Sequence, residues 1–252
     1  MKDIILFPSG ITKSCRYAAD FLERNGFSLI DHLSPDITHL LLDIPTFDNA
    51  GNLRDRSSLQ ELLTKLPQSI TVIGGNLNED YLSCYPKIDL LKINSFLASN
   101  AAITAECALQ IAASYLPSTF ADSPTLILGW GRIGKCLSKL LHSIGCNVTV
   151  AARSDQDRSM IKALGYHTCS YSEIPQILSH YKLLFNTVPE QTVDINTLNH
   201  HSNVLKIDLA SSPGMKGTDV ITARGLPGKY APETTGKLIA KTILHSIKEV
   251  RA

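Results

Sequence analysis

Paired cysteines, aromatic residues and excess charge of either sign are all scarce in this 252-residue chain. Six cysteines, at positions 15, 84, 107, 136, 146 and 169, form no CxxC pair. That spacing excludes the usual cysteine zinc and redox motifs, and no metal site is expected. Three of the six lie on or beside helical core faces, so reduced, buried thiols in a cytoplasmic protein are the expected state. A formal net charge of +1 removes any electrostatic case for a nucleic-acid or anionic-membrane partner. Long apolar runs are also missing. The opening segment 1–7 is too short for a signal peptide, and no stretch approaches the roughly 20 apolar residues of a membrane span. What remains is a chain long enough to bury a large core, most simply as two domains.

Glycine is placed where it carries information. The run Gly129-Trp130-Gly131-Arg132-Ile133-Gly134 follows the apolar segment Thr125-Leu126-Ile127-Leu128 and precedes Ile133, Leu137, Leu140, Leu141 and Ile144 at helical spacing, closed by Gly145. Strand, three glycines and amphipathic helix in that order describe the first turn of a dinucleotide-binding βαβ unit. Gly129 allows the tight turn, Gly131 lets a pyrophosphate approach the backbone, and Gly134 lets helix pack closely on strand. The phosphates are expected at the positive end of the helix dipole. At the end of the next strand, 147–152, an NAD enzyme usually carries an acid for the ribose hydroxyls, but this chain has Arg153-Ser154. A guanidinium and a hydroxyl suit the 2′-phosphate of NADP. Asp155 and Asp157 keep NAD open, and a solvated Arg153 is the bland alternative.

Strands and helices alternate on both sides of this motif. The first half reads as a strand at 4–7, the turn Pro8-Ser9-Gly10, a helix at about 13–24, strands at 28–31 and 39–42, a helix at about 58–66 and a strand at 70–73. That pattern predicts a small, flavodoxin-like parallel sheet over residues 1–98, suited to substrate. An alanine-rich helix over 99–118 links it to a doubly wound Rossmann domain over 119–231, and a C-terminal helix over 232–252 carries Ile239, Ile243, Ile247 and Val250 on one face. Glu106 on the linking helix either points toward substrate or pairs at the domain seam. Further strands are read at 183–185, 203–208 and 219–222, followed by turns at 186–189, 209–214 and 225–232. Carboxyl strand ends of this kind bind ligands in open α/β sheets. Asp208 reads either as a residue that orients the 211–214 turn or as a buried structural acid. His200-His201 falls in a polar stretch without metal-ligand spacing and reads as a solvated loop.

The segments GWGRIGKCLSKLL (129–141), AARS (151–154), NTVP (186–189), IDLASSPG (207–214) and GLPGKYAPETTGKLIA (225–240) occur in this order. In this the chain resembles the family of dipicolinate synthase A subunits over roughly residues 120 to 245. Singly, these motifs are shared with alanine, 2-hydroxyacid and shikimate dehydrogenases. The first half departs from the family pattern, with Phe7-Pro8-Ser9-Gly10 where members carry a strand followed by Gly-Gly-Asp. The resemblance implies an NAD(P)-binding dehydrogenase subunit that works with a flavoprotein-like B subunit to make dipicolinate in sporulating bacteria. Its implied chemistry is oxidation of a dihydrodipicolinate-type ring, a small cyclic dicarboxylate.

Cofactor contacts are then expected from Gly129, Trp130, Gly131, Arg132, Ile133, Gly134, Arg153, Ser154, Asn186, Thr187, Val188, Pro189, Leu226, Pro227, Gly228 and Pro232. Ser9, Thr12, Asn94, Ser95 and Ser211 are candidate donors to substrate carboxylates. Substrate and nicotinamide are expected to meet between the 94–106 segment and the turns at 186–189, 211–214 and 226–232. No catalytic base stands out. A homo-oligomer is expected. Two alternatives stay open: a non-catalytic NAD(P)-binding protein that regulates or scaffolds another, and another enzyme of the 2-hydroxyacid or alanine dehydrogenase kind.

Overall fold

The computed structural model describes residues 4–48 and 50–251, with side chains through residue 248. The chain divides into two compact units, Met1–Asn100 with Pro227–Ala252, and Ala101–Leu226.

The first unit is built on five parallel strands, β1 (Ile5–Pro8), β2 (Ser28–Leu29), β3 (His39–Leu41), β4 (Thr71–Gly74) and β5 (Lys87–Asp89). Their order, β2-β1-β3-β4-β5, is the flavodoxin-like order. Helix α1 (Lys13–Glu23) opens at Thr12, whose hydroxyl accepts from Cys15 N, and α2 (Leu59–Leu63) opens at Ser58 in the same manner. The apolar face of α1, with Cys15, Ala18, Ala19 and Leu22, is buried in one cluster with Leu6, Leu41, Ile73 and Phe96. Ile239, Ala240 and Ile243 join the same cluster from the C-terminal helix, α9 (Pro232–Arg251). The helix predicted over 232–252 therefore returns to the first unit. Gly236 makes the approach possible, since a Cβ there would lie 2.5 Å from Tyr17 Cβ and 2.7 Å from Ser14 O. The side chain of Val250, expected on the same face, lies outside the described residues.

The linking helix starts earlier than predicted. Helix α3 spans Asn94–Tyr115, so Asn94 and Ser95 form its first turn, and Phe96 anchors that turn in the first unit's core. Among the described residues α3 alone is long and apolar enough to cross a membrane by length and composition, with a mean hydropathy of 1.2, and half of that stretch is buried inside the protein. The sequence shows no such run at first sight because alanine, rather than large side chains, carries the apolarity and polar residues interrupt it. Glu106 is exposed on this helix.

Six parallel strands form the second unit: β6 (Thr125–Leu128), β7 (Val148–Ala151), β8 (His167–Cys169), β9 (Leu183–Asn186), β10 (Leu205–Asp208) and β11 (Val220–Thr222). Their order is β11-β10-β9-β6-β7-β8, the doubly wound Rossmann arrangement. Every residue of β6, β7 and β9 is buried, which is why these strands read as unbroken apolar runs. Helices α4 (Arg132–Ser143), α5 (Asp155–Ala163), α6 (Ile174–Ile177) and α7 (Ile195–His200) connect the strands, and α8 (Leu226–Tyr230) begins at the last residue of the unit and continues into the first. Strand order reverses between β6 and β9, so the β6–α4 turn stands at the topological switch point, where such sheets bind ligands.

Two local readings need correction. The 225–232 segment, read as a turn, folds from Leu226 to Tyr230 into the short helix α8, because Pro227 fits a first helical turn. His200 and His201 do not lie in a solvated loop. His200 ends α7 with Nδ1 2.7 Å from Asn196 O, and the half-buried His201 caps it.

Candidate functional site

Each glycine of the 129–134 run has a different reason to be glycine. Gly129 has φ +100°, and a Cβ there would lie 2.7 Å from both Thr187 Oγ1 and Val188 Cγ2. Gly134 is buried, and its Cβ would meet Gly129 O at 2.2 Å. Those two positions are demanded by the fold. Gly131 is not: it is exposed, in ordinary extended backbone at φ −80°, and a Cβ would meet nothing within 4 Å. Gly131 is also the N-cap of α4 and offers no side chain to the first-turn amides. The fold thus leaves an open cradle above the positive end of a 12-residue helix, with room for an oxyanion and no protein acid filling it. Arg132 is exposed on the first helical turn and Ile133 is half-buried beside it. Trp130 is turned aside, edge-on to Tyr166 at 6.0 Å with Lys135 Nζ 5.6 Å from its ring centre.

The turns after β9 and β10 are tied into one polar network. Asp208 and Asn186 are both essentially buried. Asp208 Oδ1 accepts from Asn186 Nδ2 at 2.7 Å and Ala210 N at 3.2 Å; Oδ2 accepts from Gly214 N at 2.9 Å and Met215 N at 3.2 Å. Asn186 passes the constraint on, donating to Val188 O at 2.8 Å and accepting from Val188 N at 3.1 Å. Gly214 closes the knot, since its Cβ would meet Val188 O at 2.0 Å. Thr187 is anchored to β6, donating its hydroxyl to Leu128 O at 2.8 Å and its N–H to the same oxygen at 3.0 Å. Both readings of Asp208 describe these contacts: it is a buried structural acid, and its desolvated carboxylate takes four donors and so fixes both turns. Pro189 and Ser211 stay exposed at the rim, and Ser212 donates to Pro189 O at 3.0 Å.

At the end of β7 the two arginines behave differently. Arg158 donates to Ala152 O at 2.9 Å and Arg153 O at 2.7 Å, so it holds the strand end. Arg153 is exposed, yet not free, because its guanidinium pairs with Glu190 from the turn after β9. Sequence reasoning missed Glu190. Ser154 is occupied as the N-cap of α5, accepting from Asp157 N at 3.0 Å and donating to Asp157 Oδ2 at 2.7 Å.

Of the substrate candidates in the first unit, Thr12 is already occupied. Thr12 donates to Asp43 Oδ1 at 2.5 Å while capping α1, and the amides of Ile11 and Thr12 reach the same carboxylate at 3.0 Å each. Asp43 is buried, with Arg54 Nε 4.0 Å away at the mouth of a shallow pocket that Ser9, Gly10 and Asp55 also line. Burial and then the Asp43 charge push the Cys15 thiol far above its usual range, so it stays a neutral packing group. Nothing in the sequence around the apolar run 39–42 marks Asp43 for this role. Asn94 and Ser95 are exposed on the first turn of α3, Pro232 opens α9, and Leu226, Pro227 and Gly228 lie in α8, with Leu226 and Pro227 buried.

No family model matches the chain. A curated relative, the A subunit of dipicolinate synthase from Bacillus subtilis (strain 168), is 26% identical over 207 residues, spanning 77% of this chain and 70% of the relative. The crystal structure of the dipicolinate synthase A subunit from Bacillus halodurans superposes with a TM-score of 0.82, covering 97% of each chain at 22% identity. An L-alanine dehydrogenase shares the fold more distantly, with a TM-score of 0.66 over 97% of this chain and 80% of that one at 11% identity. The chain has a dehydrogenase fold, and in both sequence and fold it is similar to the dipicolinate synthase A subunits.

Proposed function

We propose that this chain is an NAD(P)-dependent oxidoreductase, the A subunit of a dipicolinate synthase, which oxidises a dihydrodipicolinate-type ring to dipicolinate during sporulation. The observation that carries the reading is Gly131: a glycine with no structural reason to be one, at the uncapped start of α4 and at the switch point of a Rossmann sheet. Its open side and the first-turn amides of α4 would receive the pyrophosphate. Gly129, Trp130, Arg132, Ile133 and Gly134 shape that cradle, and Asn186, Thr187, Val188 and Pro189 hold the opposite wall. Arg153, at the end of β7, favours NADP over NAD by offering a guanidinium to a 2′-phosphate. In the first unit, Ser9, Asn94 and Ser95 would be the donors to a carboxylate of a cyclic dicarboxylate.

In the proposed reaction a dihydropyridine ring gives up a hydride to the oxidised nucleotide and a proton to water, and so becomes aromatic. A bound nicotinamide supplies the hydride acceptor. The protein's share is positioning, and the Asn186–Asp208 network serves it by fixing the turns without a mobile side chain. The relative's designation as a subunit supports a second polypeptide, the B-type partner, in the working enzyme. We place the protein in the cytoplasm, where its thiols stay reduced.

One observation favours a second reading, in which the chain binds NAD(P) but regulates or scaffolds its partner. The amide of Ile11, which lines the pocket of the first unit, and the amide and hydroxyl of Thr12 beside it are already taken by Asp43. Incubation of the purified chain with dihydrodipicolinate and NADP or NAD, with and without the B-type partner, separates the two. Formation of dipicolinate with stoichiometric reduced nucleotide is expected. Nucleotide binding without turnover under any combination would pass the lead to the regulatory reading.

A further inference from the structure

Strand order places β7 and β9 on either side of β6. Neighbouring strands lie about 4.8 Å apart, so the ends of β7 and β9 are about 10 Å apart with the end of β6 between them. Arg153 follows β7 and Glu190 follows β9, and their side chains meet. Their ion pair therefore crosses above the strand end that carries the glycine run. The pair has no evident structural duty. Its members are 61% and 67% exposed, and the β7 end is already held by Arg158. Of the two guanidiniums here, one is tied to two backbone carbonyls, whereas the other pairs with a solvated carboxylate and lies close enough to Tyr171 for its charge to act on that phenol.

We propose that Glu190 sets the nucleotide selectivity of the second unit by occupying Arg153 until a 2′-phosphate displaces it. The inference rests on the reading of this unit as dinucleotide-binding and adds to it a residue that competes with the ligand. A guanidinium presents one planar fork, so a carboxylate and a phosphate exclude each other on it. The dianionic 2′-phosphate of NADP makes the stronger charge-assisted pair and takes the fork. The neutral 2′-hydroxyl of NAD cannot, and leaves the Arg153–Glu190 pair closed. Glu190 therefore lowers affinity for the phosphorylated nucleotide and narrows the preference for NADP that Arg153 alone would give.

The test is a calorimetric and fluorescence titration of the full chain with NADPH and NADH, and with adenosine 2′,5′-bisphosphate against 5′-AMP. Breaking an exposed pair changes affinity by about fivefold at most. Glu190→Gln and Glu190→Ala should each tighten NADPH and the bisphosphate by about that factor, leaving NADH and AMP within about twofold. Adding Arg153→Ala should erase the gain. If Glu190→Gln leaves the NADPH to NADH ratio unchanged while Gly131→Val still abolishes binding, the competitor role is overturned and the dinucleotide reading stands. If the wild-type chain binds neither nucleotide, both are overturned.

Discussion

The first βα turn of each unit starts from the same plan and ends in opposite states. In the first unit the turn 9–12 between β1 and α1 meets Asp43, whose carboxylate takes the amides of Ile11 and Thr12. In the second, the turn 129–131 between β6 and α4 meets Thr187, whose hydroxyl and amide both turn back to Leu128 O. The glycines record the difference. A Cβ on Gly10 would lie 2.5 Å from Cys15 Sγ and 2.9 Å from Asp43 N, whereas a Cβ on Gly131 would meet nothing. A buried carboxylate needs donors, and the amides nearest to hand are those an external anion would use. One acid after the neighbouring strand thus closes the first turn with the protein's own charge, and its absence leaves the second open.

Changes that collapse the open turn should have the largest effect. Gly134→Val forces a side chain into Gly129 O, so a loss of about 3 kcal/mol or more is expected in urea unfolding, together with loss of nucleotide binding. A stable variant would mean that the helix can shift away from the strand. Asp208→Ala strips four hydrogen bonds from a buried network and should cost about 3 kcal/mol. The corresponding Asp43→Ala should cost less, about 2 kcal/mol, because water can reach the exposed Ile11 and half-buried Thr12 backbone. Equal losses in the two variants would show that the first turn is sealed as tightly as the second unit's network.

The smallest expected effect is on pH dependence, to which buried thiols of both units contribute. Burial, and after it the Glu173 charge, pushes the Cys169 thiol up to about 11, and burial pushes Cys15 in the same direction. The folded form holds the neutral thiol. Its contribution is therefore intact below the ordinary thiol value of 9.0 and is lost as pH rises from there through about 11. Urea midpoints measured between pH 8 and 11 should fall, and Cys169→Val should flatten part of the slope. An unchanged slope in the variant would remove Cys169 as a source of the pH dependence.

Legibility in the sequence followed the range of the interactions. The glycine run could be read because each glycine answers to neighbours that the βα pattern itself brings near. Strands β6, β7 and β9 could be read because burial on both faces leaves only apolar residues. Strand β5 leaves no comparable mark: it is three residues long, and Lys87 and the residue before it are exposed. Asp43 and Glu190 escaped for another reason. Their partners lie 32 and 37 residues away, so nothing local marks an acid that will close a turn or hold an arginine. The same limit applied to Thr12, whose hydroxyl looked available until Asp43 was placed beside it.

Gly131 is glycine for a ligand and not for the fold. Titration of NADPH and NADH into the wild-type chain and Gly131→Val, with thermal unfolding of both, tests this most directly. The wild type is expected to bind, the variant to lose binding by at least a hundredfold, about 2.7 kcal/mol, and the two to unfold within about 4 °C of each other, the difference a poorer N-cap makes. Equal affinity in the two proteins would contradict a ligand's claim on that position.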